Sequence, residues 1–272
     1  MAETHESELC EVLRARVGRF VRRRAHYRTP LLEFFSTLNQ REWRSVIFGG
    51  TLRDLMIRGS SEQPRDVDVV VDVPTIELLA DLFQSSIRKR TRFGGLHLNV
   101  GGWPIDVWPL ESTWAFRTGK VASATFESLP STTFLNVEAV AAELWPRPGR
   151  ARRIYDREFF NAVTSRTVEI NFADNPFSEL CVVRSLLTAA RLDYALGPRL
   201  AEYIRVHGST LKDDDLNDIQ IGHYGKIRCD GAEMKVWIQW LTSTRDDPEM
   251  RVRLPLSRPT QLSLWDDWDP AC

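Results

Sequence analysis

The sequence predicts an α+β fold: a mixed sheet carrying helices, followed by a smaller, mostly helical region. Three observations predict it. Apolar, β-branched-rich runs at 46–48 and 67–71 read as buried strands. Gly101-Gly102 between the extended runs 96–100 and 103–110 marks a hairpin, which a regular βαβ repeat does not contain. After Pro176 the pattern turns helical, with Leu180, Val183, Leu187, Ala190 and Tyr194 along one face.

The elements follow in order. Residues 6–24 read as a helix, with Leu9, Val12, Leu13, Val17, Phe20 and Val21 near one stripe. Its other face carries Arg14, Arg16, Arg19, Arg22, Arg23 and Arg24. Pro30 opens a short helix over 31–38. Strand 46–48 leads through Gly49-Gly50 into a helix over 51–58, and 59–63 is a polar loop. Strand 67–71 has no polar alternation, so it is expected to be covered on both faces. Pro74 opens a helix to about Phe83, and 87–93 is extended. Residues 137–144 read as a helix. Short extended pieces at 154–156 and 168–170 surround a helix at 158–163. Gly197-Pro198 ends the long helix after Pro176. Helices at 199–206 and 231–243 flank the acidic stretch Asp213–Asp218, and the aromatic, acidic tail 262–270 carries no assignment. Four segments result: an N-terminal helical extension (1–40), a catalytic head (41–125), a neck-like region (126–210) and a C-terminal helical segment with an acidic tail (211–272).

Composition narrows the function classes. The chain has 272 residues and a formal net charge of −1, so no global basicity marks a nucleic-acid binder. Its four cysteines are scattered without metal-ligand spacing, which argues against zinc and fits reduced thiols in the cytoplasm. No run approaches the roughly 20 apolar residues of a membrane helix, and the polar N-terminus has no signal-peptide core.

The chemistry concentrates in one stretch. An apolar strand ends in Gly49-Gly50, Thr51-Leu-Arg-Asp54 follows, and Asp66-Val-Asp68 opens the next apolar strand. Residues i and i+2 of a strand point to one face, so Asp66 and Asp68 project together. Two adjacent carboxylates repel unless a cation sits between them, and magnesium with a nucleoside triphosphate fits both them and the glycine turn. Metal-assisted nucleotidyl transfer uses a third carboxylate. Asp106, a lone acid in an apolar strand, is the candidate, with Asp72 as runner-up. Taken singly, Gly49-Gly50 is a common turn, and Asp54 could pair with Arg58 at i+4 on a helix surface.

Gly49-Gly-Thr-Leu-Arg-Asp54 with Arg65-Asp-Val-Asp68 resembles the head of the CCA-adding tRNA nucleotidyltransferase and bacterial poly(A) polymerase family, within the polymerase-β-like nucleotidyltransferase superfamily. Arg153-Ile-Tyr-Asp156 and the segment Val183–Tyr194, with Arg184 on a family arginine position, extend the resemblance more thinly to about residue 195. The resemblance implies a polymerase-β-like head followed by a helical neck. It implies two Mg2+ ions held by Asp66 and Asp68, with Asp106 as the wider superfamily's third acid. It implies nucleoside-triphosphate contacts from Gly49, Gly50, Thr51 and Arg53, with Asp54 supporting the loop. The family's arginine-rich ribose-reading stretch is represented here by Pro130–Asn136, which keeps only the asparagine. The family's base-reading motif is represented by Phe177–Cys181, without its Glu-Asp and Arg. The implied activity is therefore transfer of a nucleotide to an acceptor hydroxyl with release of pyrophosphate, but not standard CCA addition. Arg117, Lys120 and Arg152 are candidate replacements for the missing arginines.

RNA with a tRNA-like 3′ end is the expected acceptor. Arg22, Arg23, Arg24 and Arg28 could contact phosphates, with Tyr27 available to stack. Arg184, the run 88–92 and the connection 147–153 add positive charge. The alternatives are nucleotidylation of a protein or small molecule, of toxin, defence or resistance type, and a non-catalytic nucleotide-binding regulator. The acidic tail could dock a protein partner.

Overall fold

The structure is a computed structural model that describes residues 2–59, 64, 66–91, 93–244 and 251–255. Arg65 of the expected metal motif, Arg92 of the basic run, most of the polar loop 59–63 and the tail 262–270 lie outside the described residues. Two compact units divide the chain: residues 1–133 with 137–161, and residues 134–136 with 162–272.

The first unit is a seven-stranded sheet in the order β3-β4-β5-β2-β1-β6-β7. Helices α1 (Ala2–Arg22) and α2 (Thr29–Gln40) precede β1 (Ser45–Phe48) and α3 (Gly50–Arg58). Next come β2 (Val67–Val71), α4 (Ile76–Leu82), β3 (Ile87–Arg90), β4 (Leu96–Val100) and β5 (Trp103–Pro109). The short helix α5 (Trp114–Arg117), β6 (Val140–Glu143), β7 (Ile154–Asp156) and α6 (Phe159–Ser165) complete the run into the second unit. The sheet is mixed: β2 pairs antiparallel with β1 and parallel with β5. Gly101 and Gly102, at φ +59° and +89°, make the tight β4–β5 turn, a backbone that residues with a Cβ adopt only at a cost.

Burial follows the strand alternation. In β5, Trp103, Ile105, Val107 and Pro109 are buried while Pro104, Asp106 and Trp108 are half-buried. In β2, Val67 and Val69 are buried on one face and Val70 on the other, so only Asp68 is partly exposed. Val46, Phe48, Val70, Leu110, Phe126, Leu129, Ala141 and Tyr155 form an apolar cluster, against which Trp108 also packs.

One expected helix is a strand instead. Residues 137–144, expected as a helix, contain β6, which pairs antiparallel with both β1 and β7. The Ala-rich segment suits a helix intrinsically, but Val140, Ala141 and Ala142 are fully buried between two strands. Tertiary pairing overrides a propensity worth a fraction of a kcal/mol per residue.

The second unit is mostly helical. Helices α7 (Ser178–Leu192), α8 (Pro198–Gly208), α9 (Asp213–Tyr224) and α10 (Gly231–Ser243) pack around Val182, Leu186, Ile204, Leu216, Trp237 and Ile238. A two-residue parallel pair, β8 (Thr167–Val168) and β9 (Ala195–Leu196), lies at its edge. The acidic stretch 213–218, expected between helices, starts α9. Asp213, Asp214 and Asp215 occupy the first turn, where the helix dipole favours negative charge, and the Asp215 carboxylate accepts from the Lys212 N–H at 2.8 Å. No helix among the described residues is long and apolar enough to cross a membrane.

Candidate active site

The site residues expected in the head gather at one end of the seven-stranded sheet. Strand β1 enters it and ends at Gly49, whose φ of +66° and ψ of −128° lie in a region that only glycine occupies without strain. This turn lets α3 start immediately after the strand. The Gly49 N–H donates to the Val140 carbonyl at 3.0 Å, and the Gly49 carbonyl accepts from the N–H groups of Leu52 and Arg53. The Gly49 amide is thus engaged within the sheet. The N–H groups of Gly50 and Thr51 open the first turn of α3, where helix geometry supplies no acceptor and an anion is favoured.

Thr51 joins the glycine turn to the acidic motif. Its buried hydroxyl donates to the Asp66 carbonyl at 3.0 Å. Asp66 immediately precedes β2 and Asp68 lies within it, two residues farther on. In the parallel β2–β5 ladder the Cα partner of Asp68 is Asp106. Adjacent strands lie about 4.8 Å apart, so the two carboxylates stand side by side on the same face. Asp72, the other candidate third acid, lies four residues farther along β2, or about 13 Å at the usual strand rise. There it faces Arg44 at 3.8 Å. Register therefore favours Asp106 over Asp72 as the partner of Asp68.

Two residues that the sequence reading missed complete the arrangement. His97 is the Cα partner of Asp106 across the antiparallel β4–β5 ladder, and its Nδ1 lies 2.5 Å from Asp106 Oδ1. Glu138, just before β6, accepts from Arg53 Nη1 at 2.6 Å. Arg53 Nε donates to Asp54 Oδ1 at 2.8 Å. Burial opposes the charge on Arg53, but the carboxylates of Asp54 and Glu138 more than offset it and hold the guanidinium pKa above its usual value. Arg53 is only 6% exposed. In this arrangement it cross-links the start of α3 to the residues before β6, while Asp54 supports the loop from one side.

Among the described residues, no three His, Cys, Asp or Glu side chains converge closely enough to hold a metal by themselves. Magnesium commonly takes one or two carboxylates and completes its shell with water and substrate phosphates. The in-register, half-buried Asp68 and Asp106, with half-buried Asp66 just before β2, offer oxygen donors of that kind.

Several arginines have structural partners. Arg14 Nε donates to the Arg152 carbonyl, and Arg16 Nη1 donates to the carbonyls of Leu55 and Met56, closing the end of α3. Arg28, expected on a phosphate-binding face, is buried instead. It donates to the Phe20 carbonyl at 2.6 Å and lies over the Phe20 ring, and burial lowers its pKa. Arg152, a candidate nucleotide-positioning residue, is 5% exposed and donates to the carbonyls of Glu143 and Leu144. Burial, with Arg22 nearby, brings its pKa down to about 10. Arg117 is exposed and donates to the Phe93 carbonyl. Lys120 is exposed, as are Arg22 at the end of α1 and Arg23, Arg24 and Tyr27 beyond it. Trp108 packs edge-on against Phe48 and donates to Thr113, a packing role. Arg184 lies half-buried on α7 in the second unit.

No protein-family model and no curated protein matches the sequence. Solved structures match the fold. A CCA-adding enzyme in complex with CTP aligns with a TM-score of 0.57 and 15% identity, over 84% of this chain and 55% of that one. The Thermotoga maritima CCA-adding enzyme complexed with tRNA aligns with a TM-score of 0.56 and 15% identity, over 83% and 54%. The chain has the fold of CCA-adding tRNA nucleotidyltransferases. A tRNA nucleotidyltransferase complexed with a primer tRNA and an incoming ATP analog aligns with a TM-score of 0.53 and 17% identity, over 78% and 60%. The chain thus spans between half and three fifths of the length of these nucleotidyltransferases.

Two segments singled out in the sequence have structural roles here. Asn136 is buried, its amide donates to the Thr167 carbonyl and its Oδ1 accepts from the Glu169 N–H. Phe177–Cys181 spans the N-cap and first turn of α7, where the Phe177 carbonyl accepts from the Cys181 N–H.

Proposed function

We propose that the protein is a magnesium-dependent nucleotidyltransferase that transfers a nucleoside monophosphate from a nucleoside triphosphate to an RNA 3′ hydroxyl, releasing pyrophosphate. The observation that carries this reading is the register of Asp68 against Asp106, beside a glycine turn that opens a helix at the same end of the sheet. The likeness in fold to CCA-adding enzymes supports it.

In this reading Asp66, Asp68 and Asp106 hold the metal. Bound magnesium supplies charge neutralisation at the triphosphate and acidifies the attacking hydroxyl. The first-turn N–H groups of Gly50 and Thr51 orient the triphosphate by hydrogen bonds and the helix dipole. The Arg53–Asp54–Glu138 cross-link keeps that turn rigid, so its amides are aimed before substrate arrives. His97 fixes the Asp106 carboxylate. The exposed Arg22, Arg23 and Arg24, with Tyr27, and Arg184 in the second unit contact RNA. Standard CCA addition is not expected, because the residues by which the resembling family reads ribose and base are replaced and Asn136 is committed to Thr167 and Glu169.

The test offers purified protein with Mg2+ and each labelled nucleoside triphosphate to total RNA and to cell protein in parallel. RNA should be labelled, and the Asp66→Ala/Asp68→Ala variant should lose at least about a hundredfold in rate. Full activity in that variant refutes the metal site. Label on protein alone replaces RNA with a protein acceptor.

A further inference from the structure

The face that carries Asp68 and Asp106 ends, beyond the apolar cluster around Val70 and Phe126, in a second polar concavity. It has a volume of about 280 Å3 and is lined by four arginines, Arg44, Arg147, Arg150 and Arg153, with Asp72 and Glu127. Asp72 places it at the far end of β2, about 13 Å along the strand from Asp68. It is therefore separate from the proposed catalytic end.

The pocket is built rather than loosely assembled. Arg150 forms a two-pronged pair with the buried Glu143, at 2.7 and 2.6 Å. Glu143 also accepts from the Arg153 N–H and the Tyr155 hydroxyl. Burial would raise the Glu143 pKa, but these donors hold it below the usual value, so Arg150 is anchored by a charged partner. Arg44 lies over the Phe126 ring, 5.0 Å from its centroid, which fixes its direction.

Counting charges identifies the missing component. Glu143 balances Arg150. Three arginines then face two carboxylates at longer range: Arg44–Asp72 at 3.8 Å and Arg153–Glu127 at 3.7 Å, both pairs substantially exposed. These distances exceed those of charge-assisted hydrogen bonds, so both guanidinium groups keep donors for another acceptor. Arg147 is exposed and its guanidinium has no carboxylate partner among the described residues.

We propose that this pocket binds a small phosphate anion, inorganic phosphate or pyrophosphate, independently of the metal site. Planar guanidinium forks match phosphate oxygens, and three arginines lining one pocket can share the several oxygens of a phosphate group more fully than the two of a single carboxylate. A concave pocket of this size encloses a compact anion rather than tracking an extended nucleic-acid backbone.

The test is calorimetric titration of the full-length protein with phosphate and with pyrophosphate, in EDTA at low ionic strength. Saturable, salt-sensitive binding is expected. Arg44→Ala/Arg147→Ala should weaken it at least about tenfold, and Asp66→Ala/Asp68→Ala should leave it unchanged. Arg147→Glu alters only an exposed side chain, keeps the fold by circular dichroism, and should also weaken binding at least about tenfold. Absence of saturable binding in the wild type overturns the proposal. So does binding indifferent to the arginine variants, or binding lost with the two aspartates. A 5′-phosphorylated oligonucleotide that binds where pyrophosphate does not overturns it in favour of a nucleic-acid contact. Because EDTA removes divalent metal and no turnover is read, these outcomes are independent of the nucleotidyltransferase reading.

Discussion

Replacing Glu138 with alanine isolates the cross-link that stiffens the glycine turn. Arg53 is 6% exposed, the Glu138 side chain is 13% exposed, and their contact is 2.6 Å. Removing one partner of a buried ion pair costs about 3–5 kcal/mol when the other charge is left alone. Here Asp54 still accepts from Arg53 Nε, so the loss should lie nearer one charge-assisted hydrogen bond, about 2–3 kcal/mol. For a unit of this size that corresponds to a fall in Tm of roughly 4–12 °C, read by scanning calorimetry. Glu138→Gln keeps an acceptor oxygen but loses the charge, and should fall between wild type and Glu138→Ala. A drop below about 2 °C for Glu138→Ala, or identical behaviour of the two variants, would refute the argument that a buried charge depends on this contact. Measured well below the new Tm, nucleotidyl transfer should also slow, because the first-turn amides of α3 are less well held.

Gly49→Ala should destabilise by about 1–3 kcal/mol, measured by urea unfolding, because φ +66° with ψ −128° strains any residue carrying a Cβ. His97→Leu frees Asp106 and should raise the Mg2+ concentration for half-maximal transfer by about 10–100-fold, with the circular dichroism spectrum unchanged. Asp156 tests pH linkage. Burial, then Glu6 and Glu158, push its pKa up to about 6 against an ordinary 3.8, with a hydrogen bond from the Phe159 N–H opposing. The folded state therefore holds this proton more tightly, and the carboxylate's contribution to stability falls as pH rises from about 4 through 6. Asp156→Asn should raise Tm at pH 7, with the gain shrinking toward pH 4; a pH-independent difference would contradict the burial argument.

Local pattern was enough to recognise strand β2 and the Gly101-Gly102 hairpin, because each depends on residues adjacent in sequence. The pairing of Asp68 with Asp106 depends on inter-strand register, which neither strand's pattern contains. Asp106 could be nominated as an acid in an apolar run and by resemblance, but not placed beside Asp68. His97 was invisible for the same reason: its partner is set by the β4–β5 ladder. Residues 137–144 show the same limit in backbone form, since β1 and β7 supply the hydrogen bonds that make β6 a strand.

The arginines carry that argument into function. Sequence displays their charge but not which carbonyls and carboxylates the fold will bring to them. Arg16 closes α3, Arg28 and Arg152 are buried against main-chain oxygens, and Arg53 lies between two acids. Each is held by acceptors that a polyanion would have to displace, and for the buried ones displacement would also leave polar groups unpaired. Recognition of phosphate should therefore fall to arginines whose guanidinium groups retain donors at the surface. That criterion separates Arg28 and Arg152 from Arg147, although all three belong to basic segments, and it adds Arg44, which lies outside them. It also makes the two kinds experimentally distinct. Neutralising Arg152 should lower Tm with little effect on the salt dependence of anion binding, whereas neutralising Arg147 should do the reverse.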